Sequence, residues 1–336
     1  MNQQTDPRDR DDWDLLGHQW AVQLLTKHLQ TDRIRHAYLI TGPRGIGRRT
    51  LALRFAQVLN SPDRRYQPDT PASQQIARMQ HPDLSIVQRL EGDRDIKIDA
   101  IRSLQHTLSL SPYMAEYRVA LLINFEEANA NAANALLKTL EEPSGKVILL
   151  LTAESTEALL PTIVSRCEII RLRPVPLSEL ASGLEQHTGI PQDQARLLAH
   201  ISAGKPGYAL QLAQNPELLE ERQSMLEDQI TLLGATRVKR FSYANQLGKD
   251  KDQFIQTLTI WLSYWRDVLL QTTSSSTPLT NPDRAEEIQS LARHMDTSAA
   301  QKVVLTLEKM LEEQRTNVNT RLAAEALMLQ LPFIHR

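Results

Sequence analysis

A glycine-spaced segment between a predicted strand and a predicted helix constrains the fold most. Residues 41–50 read TGPRGIGRRT, follow the apolar run Ala37–Ile40 and precede an apolar helical pattern over residues 51–59. A strand, a glycine-rich turn and a helix in this order are typical of a phosphate-binding loop. The glycines let the backbone turn tightly and direct N–H groups toward an anion. We call residues 41–50 the phosphate loop.

The phosphate loop keeps the spacing of the motif G-x-x-x-x-G-K-[S/T] but lacks its two chemical residues. Arg48 stands where lysine should reach the phosphates, and Arg49 stands where serine or threonine should hold Mg²⁺. Thr50 comes one residue late, about 100° away around a helix. Three interpretations stay open: a loop kept only for its turn and empty, weak nucleotide or anion binding, and a working ATPase that uses Arg48. The candidate nucleotide-contacting residues are Gly42, Gly45, Gly47, Arg48, Arg49 and Thr50.

The acidic strand end that an ATPase needs for magnesium is altered too. After the apolar run at 121–123 the chain continues with Asn124, Phe125, Glu126 and Glu127. Asn124 is neutral and a poor substitute for a magnesium-binding carboxylate. The two glutamates are expected at a helix start, where acids interact favourably with the helix dipole. An alternative assigns Glu126 as a catalytic carboxylate.

Strands and helices alternate over the first half of the chain. Apolar strand patterns at residues 37–41, 84–87, 118–123, 146–152 and 168–172 are separated by helical patterns. This alternation predicts an α/β fold with a parallel sheet. Beyond Pro174-Val175-Pro176 only helical patterns follow, including one predicted helix over residues 298–330. We predict a disordered N-terminus (1–13), an α/β core (14–173), a small helical lid (174–215) and a helical C-terminal domain (216–336).

Composition excludes several classes of site and partner. The net charge of −2 provides no global basic field for nucleic acid, which argues against a DNA-binding adaptor. The single cysteine, Cys167, permits neither an internal disulfide nor a four-cysteine zinc site, and no metal is expected. We expect a cytoplasmic protein with neither a signal peptide nor a membrane span.

Three segments carry a resemblance to a known family: GPRGIG at 42–47, NALLKTLEEP at 134–143 and LPTIVSRC at 160–167. Together they resemble the bacterial clamp-loader branch of the AAA+ family, over residues 15–215 in sequence and beyond that in architecture only. From residue chemistry alone, a solvated surface residue or a helix-end charge is a better interpretation of Arg166 than a functional residue. The family is therefore what suggests a function for it.

The resemblance implies a trans-acting arginine finger. Arg166 would project into the ATP site of a neighbouring motor subunit, with Ser165 and Cys167 helping to position it. The resemblance also implies a hetero-oligomer with gamma/tau motor subunits and the delta subunit, acting indirectly on the sliding clamp and primed DNA. It implies that residues 216–336 form the oligomerising collar. No cofactor and no intrinsic ATPase or polymerase activity are expected, although the resemblance implies an assembly that is part of the DNA-directed DNA polymerase III holoenzyme. An active gamma/tau-like ATPase subunit is the alternative.

Further features of the sequence bear on this comparison. The segment 60–75 lacks the cysteines of the zinc module found in many relatives, and Gly207 stands where motor subunits carry a nucleotide-sensing arginine. Thr152 occupies the polar sensor position, although a threonine at a strand end is as often a helix cap. Trp261 and Trp265, four residues apart on a predicted helix, are interpreted as core or subunit contacts rather than a stacking platform for bases.

Overall fold

The computed structural model describes residues 13–143, 145–314 and 318–334. They form two compact units: one comprises the chain up to Gly183 together with Gly204–Tyr208, and the other comprises Leu184–Ala203 and the chain from Ala209 onward. The predicted domain boundaries near 174 and 215 stay predictions. The predicted disorder of residues 1–12 lies outside the described residues. Trp13, which we assigned to the same disordered segment, is instead buried and stacks on Phe55 with ring centroids 6.1 Å apart.

The first unit contains a five-stranded parallel sheet, which confirms the predicted α/β class. Its strands are β1 (Ala37–Thr41), β2 (Leu84–Val87), β3 (Arg118–Leu122), β4 (Val147–Ala153) and β5 (Glu168–Arg171). The strand order is β2-β3-β4-β1-β5. All residues of β1, β3 and β4 are buried. Alternate residues face opposite sides: Tyr38 and Ile40 pack in one apolar cluster, and Ala37 and Leu39 pack in another. Strands covered on both faces explain the continuous apolar runs in the sequence.

Among the described residues up to 188, seven α-helices occur. They are α1 (Gln19–Gln30), α2 (Arg48–Leu59), α3 (Pro71–Ala77), α4 (Ile98–Leu108), α5 (Ala130–Glu141), α6 (Pro161–Val164) and α7 (Leu177–Thr188). Helix α3 begins inside residues 60–73, a segment rich in Pro, Asp, Arg and Ser whose lack of periodicity predicts a loop. Its start has a recognisable cap, because the Thr70 side chain accepts a hydrogen bond from the Ser73 N–H and Pro71 is the first helical residue.

The remaining helices follow in order along the chain. They are α8 (Gln192–Ile201), α9 (Pro206–Gln214), α10 (Glu217–Leu233), α11 (Arg237–Leu247), α12 (Lys251–Thr272), α13 (Ala285–Arg293), α14 (Thr297–Glu313) and α15 (Thr320–Gln330). The single helix predicted over residues 298–330 is wrong, because α14 ends at Glu313 and Asn319 caps α15 through the Leu322 N–H. Trp261 and Trp265 are fully buried in the core around α12, so their interpretation as core residues is confirmed.

None of the helices within the described ranges is long and apolar enough to cross a membrane. The same ranges hold no group of three or more histidine, cysteine, aspartate or glutamate side chains that is arranged to bind a metal.

Candidate functional site

The phosphate loop has the predicted position between β1 and α2. Gly42 and Gly45 have φ angles of 147° and 79°, which side-chain-bearing residues rarely adopt. A Cβ atom at Gly42 would lie 2.7 Å from the carbonyl oxygen of Leu172, so a larger residue does not fit there. Gly47 caps the N-terminus of α2, and Arg48 is the first residue of that helix. The backbone therefore retains the turn expected from the sequence.

Arg48 points back into the protein. Its guanidinium is almost fully buried and donates a hydrogen bond to Asn124 Oδ1 at 3.1 Å. Its Nη1 lies 3.8 Å from Glu126 Oε1. Burial lowers the pKa of Arg48 and raises the pKa of Glu126. Arg48, at the lysine position of the motif, thus contacts Asn124 and Glu126. These two residues follow β3, where an ATPase would carry its magnesium-binding acidic residues.

Asn124 is itself fixed by the sheet. It adopts a left-handed conformation with φ of 50°, and its N–H donates to Thr152 Oγ1 at 2.8 Å. Glu126 also accepts a hydrogen bond from the Glu154 N–H at 3.2 Å. Thr152, at the predicted sensor position, therefore orients the residue that accepts from Arg48. The arrangement joins the ends of α2, β3 and β4 through polar contacts within one chain.

Further ion pairs surround the buried pair. Arg44 donates to Glu154 at 2.9 Å and lies 3.4 Å from Glu127. Glu127 also pairs with Arg89 at 3.2 Å. Three carboxylates near the loop are therefore engaged by arginines of this chain. Arg44, Arg48 and Arg89 would have to leave these carboxylates before they could bind a triphosphate, which opposes binding.

The loop is also contacted by two segments distant in sequence. The Tyr208 N–H donates to the Gly45 carbonyl oxygen at 3.0 Å. A Cβ atom at Gly207 would lie 2.9 Å from that same oxygen, so an arginine at this sensing position does not fit the observed backbone. In addition, His18 Nε2 donates to the Ile46 carbonyl oxygen at 2.9 Å. These two hydrogen bonds fix the backbone of the phosphate loop to residues outside it.

Burial lowers the pKa of His18 from its usual 6.5 and outweighs the hydrogen bond to Ile46, which raises it, so this buried side chain makes stability depend on pH. Protonation is harder in the folded chain, so the unfolded chain binds more protons once the pH falls below about 6.5. We expect the His18 contribution to be complete above that pH and to be lost as the pH decreases toward the depressed pKa. Urea denaturation from pH 8 to pH 5 measures this. His18→Gln, which can still donate to Ile46, is expected to reduce the pH dependence, whereas exposed His106→Gln is expected to match the parent. Equal slopes for all three proteins would contradict the assignment.

The last two loop candidates do not join Arg48. The Arg49 guanidinium contacts the Met79 sulfur at 3.1 Å, and Thr50 is exposed on α2. Neither side chain is directed into the Arg48–Asn124–Glu126 cluster. Their roles in nucleotide contact stay predictions.

Arg166 lies at the surface just after the short helix α6. Its Nη1 donates to the Thr162 carbonyl oxygen at 2.8 Å and to Ser165 Oγ at 3.4 Å. Its Nη2 donates to Glu141 Oε1 at 2.7 Å. The side chain is 34% exposed and that of Glu141 is 50% exposed, so the ion pair is open to solvent. The finger candidate is therefore oriented but accessible from outside.

The two flanking residues anchor this turn. Ser165 ends α6 and donates through its hydroxyl to the Thr162 carbonyl oxygen at 3.2 Å. Cys167 packs against the apolar cluster beneath the sheet, and burial raises the pKa of its thiol to about 12. A thiol this hard to ionise is unreactive and serves packing. Both contacts are compatible with positioning Arg166.

Several residues of this site were not predicted. Glu141 stands inside the quoted segment NALLKTLEEP, yet the sequence offers no partner for it. His18 and Glu154 lie outside every motif, and Arg44 occupies a variable position of the phosphate loop. They are distant in sequence from their partners: Arg44 and Glu154 are 110 residues apart. Only folding brings these charges together.

Comparison with known proteins gives the family context. A protein-family model described as "DNA polymerase III, delta subunit" matches residues 17–176. A second family model, described as "DNA polymerase III, delta subunit, C terminal", matches residues 216–332. The chain is 32% identical to DNA polymerase III subunit delta' of Pseudomonas aeruginosa, over 88% of this chain and 91% of that protein. It is 29% identical to subunit delta' of Bacillus subtilis, over 93% and 95% of the two chains.

The fold has a solved counterpart. A gamma subunit-related DNA polymerase III protein from Thermotoga maritima aligns with a TM-score of 0.50 and 19% identity, covering 91% of this chain and 97% of that one. At this identity the likeness concerns the fold alone. It agrees with the predicted AAA+ architecture of a parallel-sheet core followed by helices.

Proposed function

Since this chain belongs to the delta' subunit family of DNA polymerase III, and so is a clamp-loader subunit, we propose that it serves there without hydrolysing ATP itself. It assists ATP-dependent loading of the sliding clamp on primed DNA. It supplies Arg166 as a trans-acting finger to a neighbouring gamma/tau motor subunit and contacts the delta subunit. Residues 216–336 form the collar that holds the assembly together.

The observation that carries the non-hydrolysing role is the position of Arg48. A side chain needed for phosphate contact is instead buried against Asn124 and Glu126. Releasing it would leave Glu126 buried without its cation, which is strongly unfavourable. No residue in the quoted motif positions replaces the magnesium ligand. The loop is thus maintained as a strand-to-helix connection.

The finger role needs a guanidinium that can be reached from outside. Arg166 is exposed and meets this requirement. A guanidinium directed at a γ-phosphate stabilises the charge that develops during phosphoryl transfer. It requires no nucleotide site in its own subunit. A subunit that keeps this arginine but has lost the phosphate-binding residues of its own loop can therefore still support ATP hydrolysis in its neighbour.

We expect the isolated chain to bind no Mg·ATP at concentrations up to about 1 mM, an affinity of only about −4 kcal/mol. Isothermal titration calorimetry measures this directly, with a gamma/tau motor subunit as the positive control. A double variant, Arg48→Lys with Arg49→Thr, tests whether the side chains alone exclude nucleotide. Micromolar, Mg²⁺-dependent binding by the parent chain would instead favour an active ATPase subunit.

The role in loading is tested by reconstitution with motor and delta subunits, clamp and primed DNA. Omitting this chain is expected to abolish ATP-dependent loading, and adding it back is expected to restore loading. Loading at the full rate without it would contradict the proposal.

A further inference from the structure

The glutamate that pairs with Arg166 stands at an unfavourable place for its own helix. Glu141 is the last residue of α5, and a carboxylate near a helix C-terminus is repelled by the negative end of the helix dipole. Helix stability therefore does not explain an acid at this position. Glu141 accepts a 2.7 Å hydrogen bond from Arg166 Nη2.

The ion pair also contributes little to folding. Both side chains are substantially exposed, and exposed ion pairs have small effects on stability because water screens them. The ion pair instead determines the direction in which the Arg166 guanidinium points. Together with the Thr162 carbonyl oxygen, Glu141 holds the guanidinium from two sides and limits its rotation. An arginine side chain otherwise has many rotamers to lose when it engages a phosphate.

The Arg166 guanidinium keeps N–H donors for a further ligand while Glu141 holds it. Arginine has five N–H donors. Hydrogen bonds to Thr162, Ser165 and Glu141 use three of them, so two donors have no hydrogen bond to the described residues. The arginine can therefore contact a γ-phosphate without first breaking its bond to Glu141.

We propose that Glu141 is a positioning residue that pre-orients Arg166 for the ATP site of the neighbouring subunit. This inference rests on the finger role proposed above. It explains why NALLKTLEEP and SRC occur together: the first segment ends on the carboxylate that orients the arginine of the second. The benefit is a smaller entropic cost of ordering in the transition state, so the effect falls on kcat more than on KM.

The test uses a reconstituted clamp loader whose motor subunits carry alanine at their own arginine of this motif. Hydrolysis that remains then reports on the site beside Arg166. Glu141→Ala is expected to lower kcat for ATP about tenfold, since small misplacements of catalytic groups have effects of this size or larger. KM, complex assembly and the melting temperature of the chain are expected to stay unchanged. Glu141→Gln, which keeps an oxygen acceptor, is expected to retain more activity than Glu141→Ala.

Glu142→Ala is the matched control, because Glu142 is the exposed neighbour at the same helix end. It is expected to leave kcat unchanged. Parent-like kcat in Glu141→Ala, or an equal loss in Glu142→Ala, would overturn the inference. Arg166→Ala in the same assembly separates the two hypotheses: if it abolishes hydrolysis while Glu141→Ala does not, only the positioning role fails; if it has no effect, the finger role fails first.

Discussion

Replacing Arg166 with alanine is expected to lower ATP hydrolysis at the adjoining motor subunit about 10³-fold, the low end of the range for arginine fingers. The guanidinium would neutralise charge that develops on the γ-phosphate, and alanine removes both the charge and the hydrogen-bond donors. Because Arg166 is exposed and contributes little to the core, the chain is expected to fold and assemble normally. Single-turnover hydrolysis in the assembly with substituted motor subunits measures the effect.

Two variants sharpen this prediction. Arg166→Lys keeps a positive charge but loses the planar fork, so it is expected to recover only part of the rate. Arg173→Ala removes an exposed arginine beyond β5 and is expected to behave like the parent. Hydrolysis that is unchanged in Arg166→Ala, with assembly verified by size-exclusion chromatography, would refute the finger assignment.

Replacing Arg240 with methionine is expected to destabilise the second unit by about 3–5 kcal/mol. Arg240 is buried on α11 and lies at the C-terminal ends of α10 and α15. Its guanidinium donates to five backbone carbonyl oxygens, those of Leu232, Leu233, Met328, Leu331 and Pro332, at 2.7–3.2 Å. The last carbonyl groups of a helix lack hydrogen-bond partners within the helix. A cation at this C-terminal end also interacts favourably with the negative end of the helix dipole.

Methionine preserves the apolar stem of Arg240 but provides no donor, so it leaves several buried carbonyl groups without a hydrogen bond. Hydrogen–deuterium exchange of the α12 amides measures the free energy of opening within this unit. Arg237→Met, an exposed change on the same helix, is the control and is expected to shift that free energy by less than about 0.5 kcal/mol. A loss below about 1 kcal/mol in Arg240→Met would show that the carbonyl groups find other partners.

The sheet was predictable because its chemistry is local and repetitive. Strands β1, β3 and β4 are buried on both faces and so appear in the sequence as unbroken apolar runs. The helical half was predicted less accurately. Helix α14 ends at Glu313 and Asn319 caps α15, both within the largely polar stretch 312–321, so the sequence carried a local signal for the break that the prediction of one long helix overlooked.

The candidate site also has features that were predictable from the sequence and features that were not. Positive φ angles at Gly42 and Gly45 follow from residue type, so the shape of the phosphate loop was predictable. The direction of Arg48 was not, because its acceptor Asn124 is 76 residues away and a long side chain follows its partners. The sequence left open whether Arg48 contacts a phosphate or its own protein. The buried contact with Asn124 favours the second interpretation.

The sequence by itself determined the parallel α/β core, the turn of the phosphate loop and the absence of the usual lysine and magnesium ligand, because each depends on residue type and local spacing. Only the tertiary structure decided where the charges pair. It placed Arg48 on Asn124 and Glu126, Arg166 on Glu141, and Arg240 on the carbonyl groups of two helix ends. Guanidinium groups on long, flexible side chains form contacts wherever the fold presents acceptors, and acceptors far apart in sequence come together only when the chain is packed.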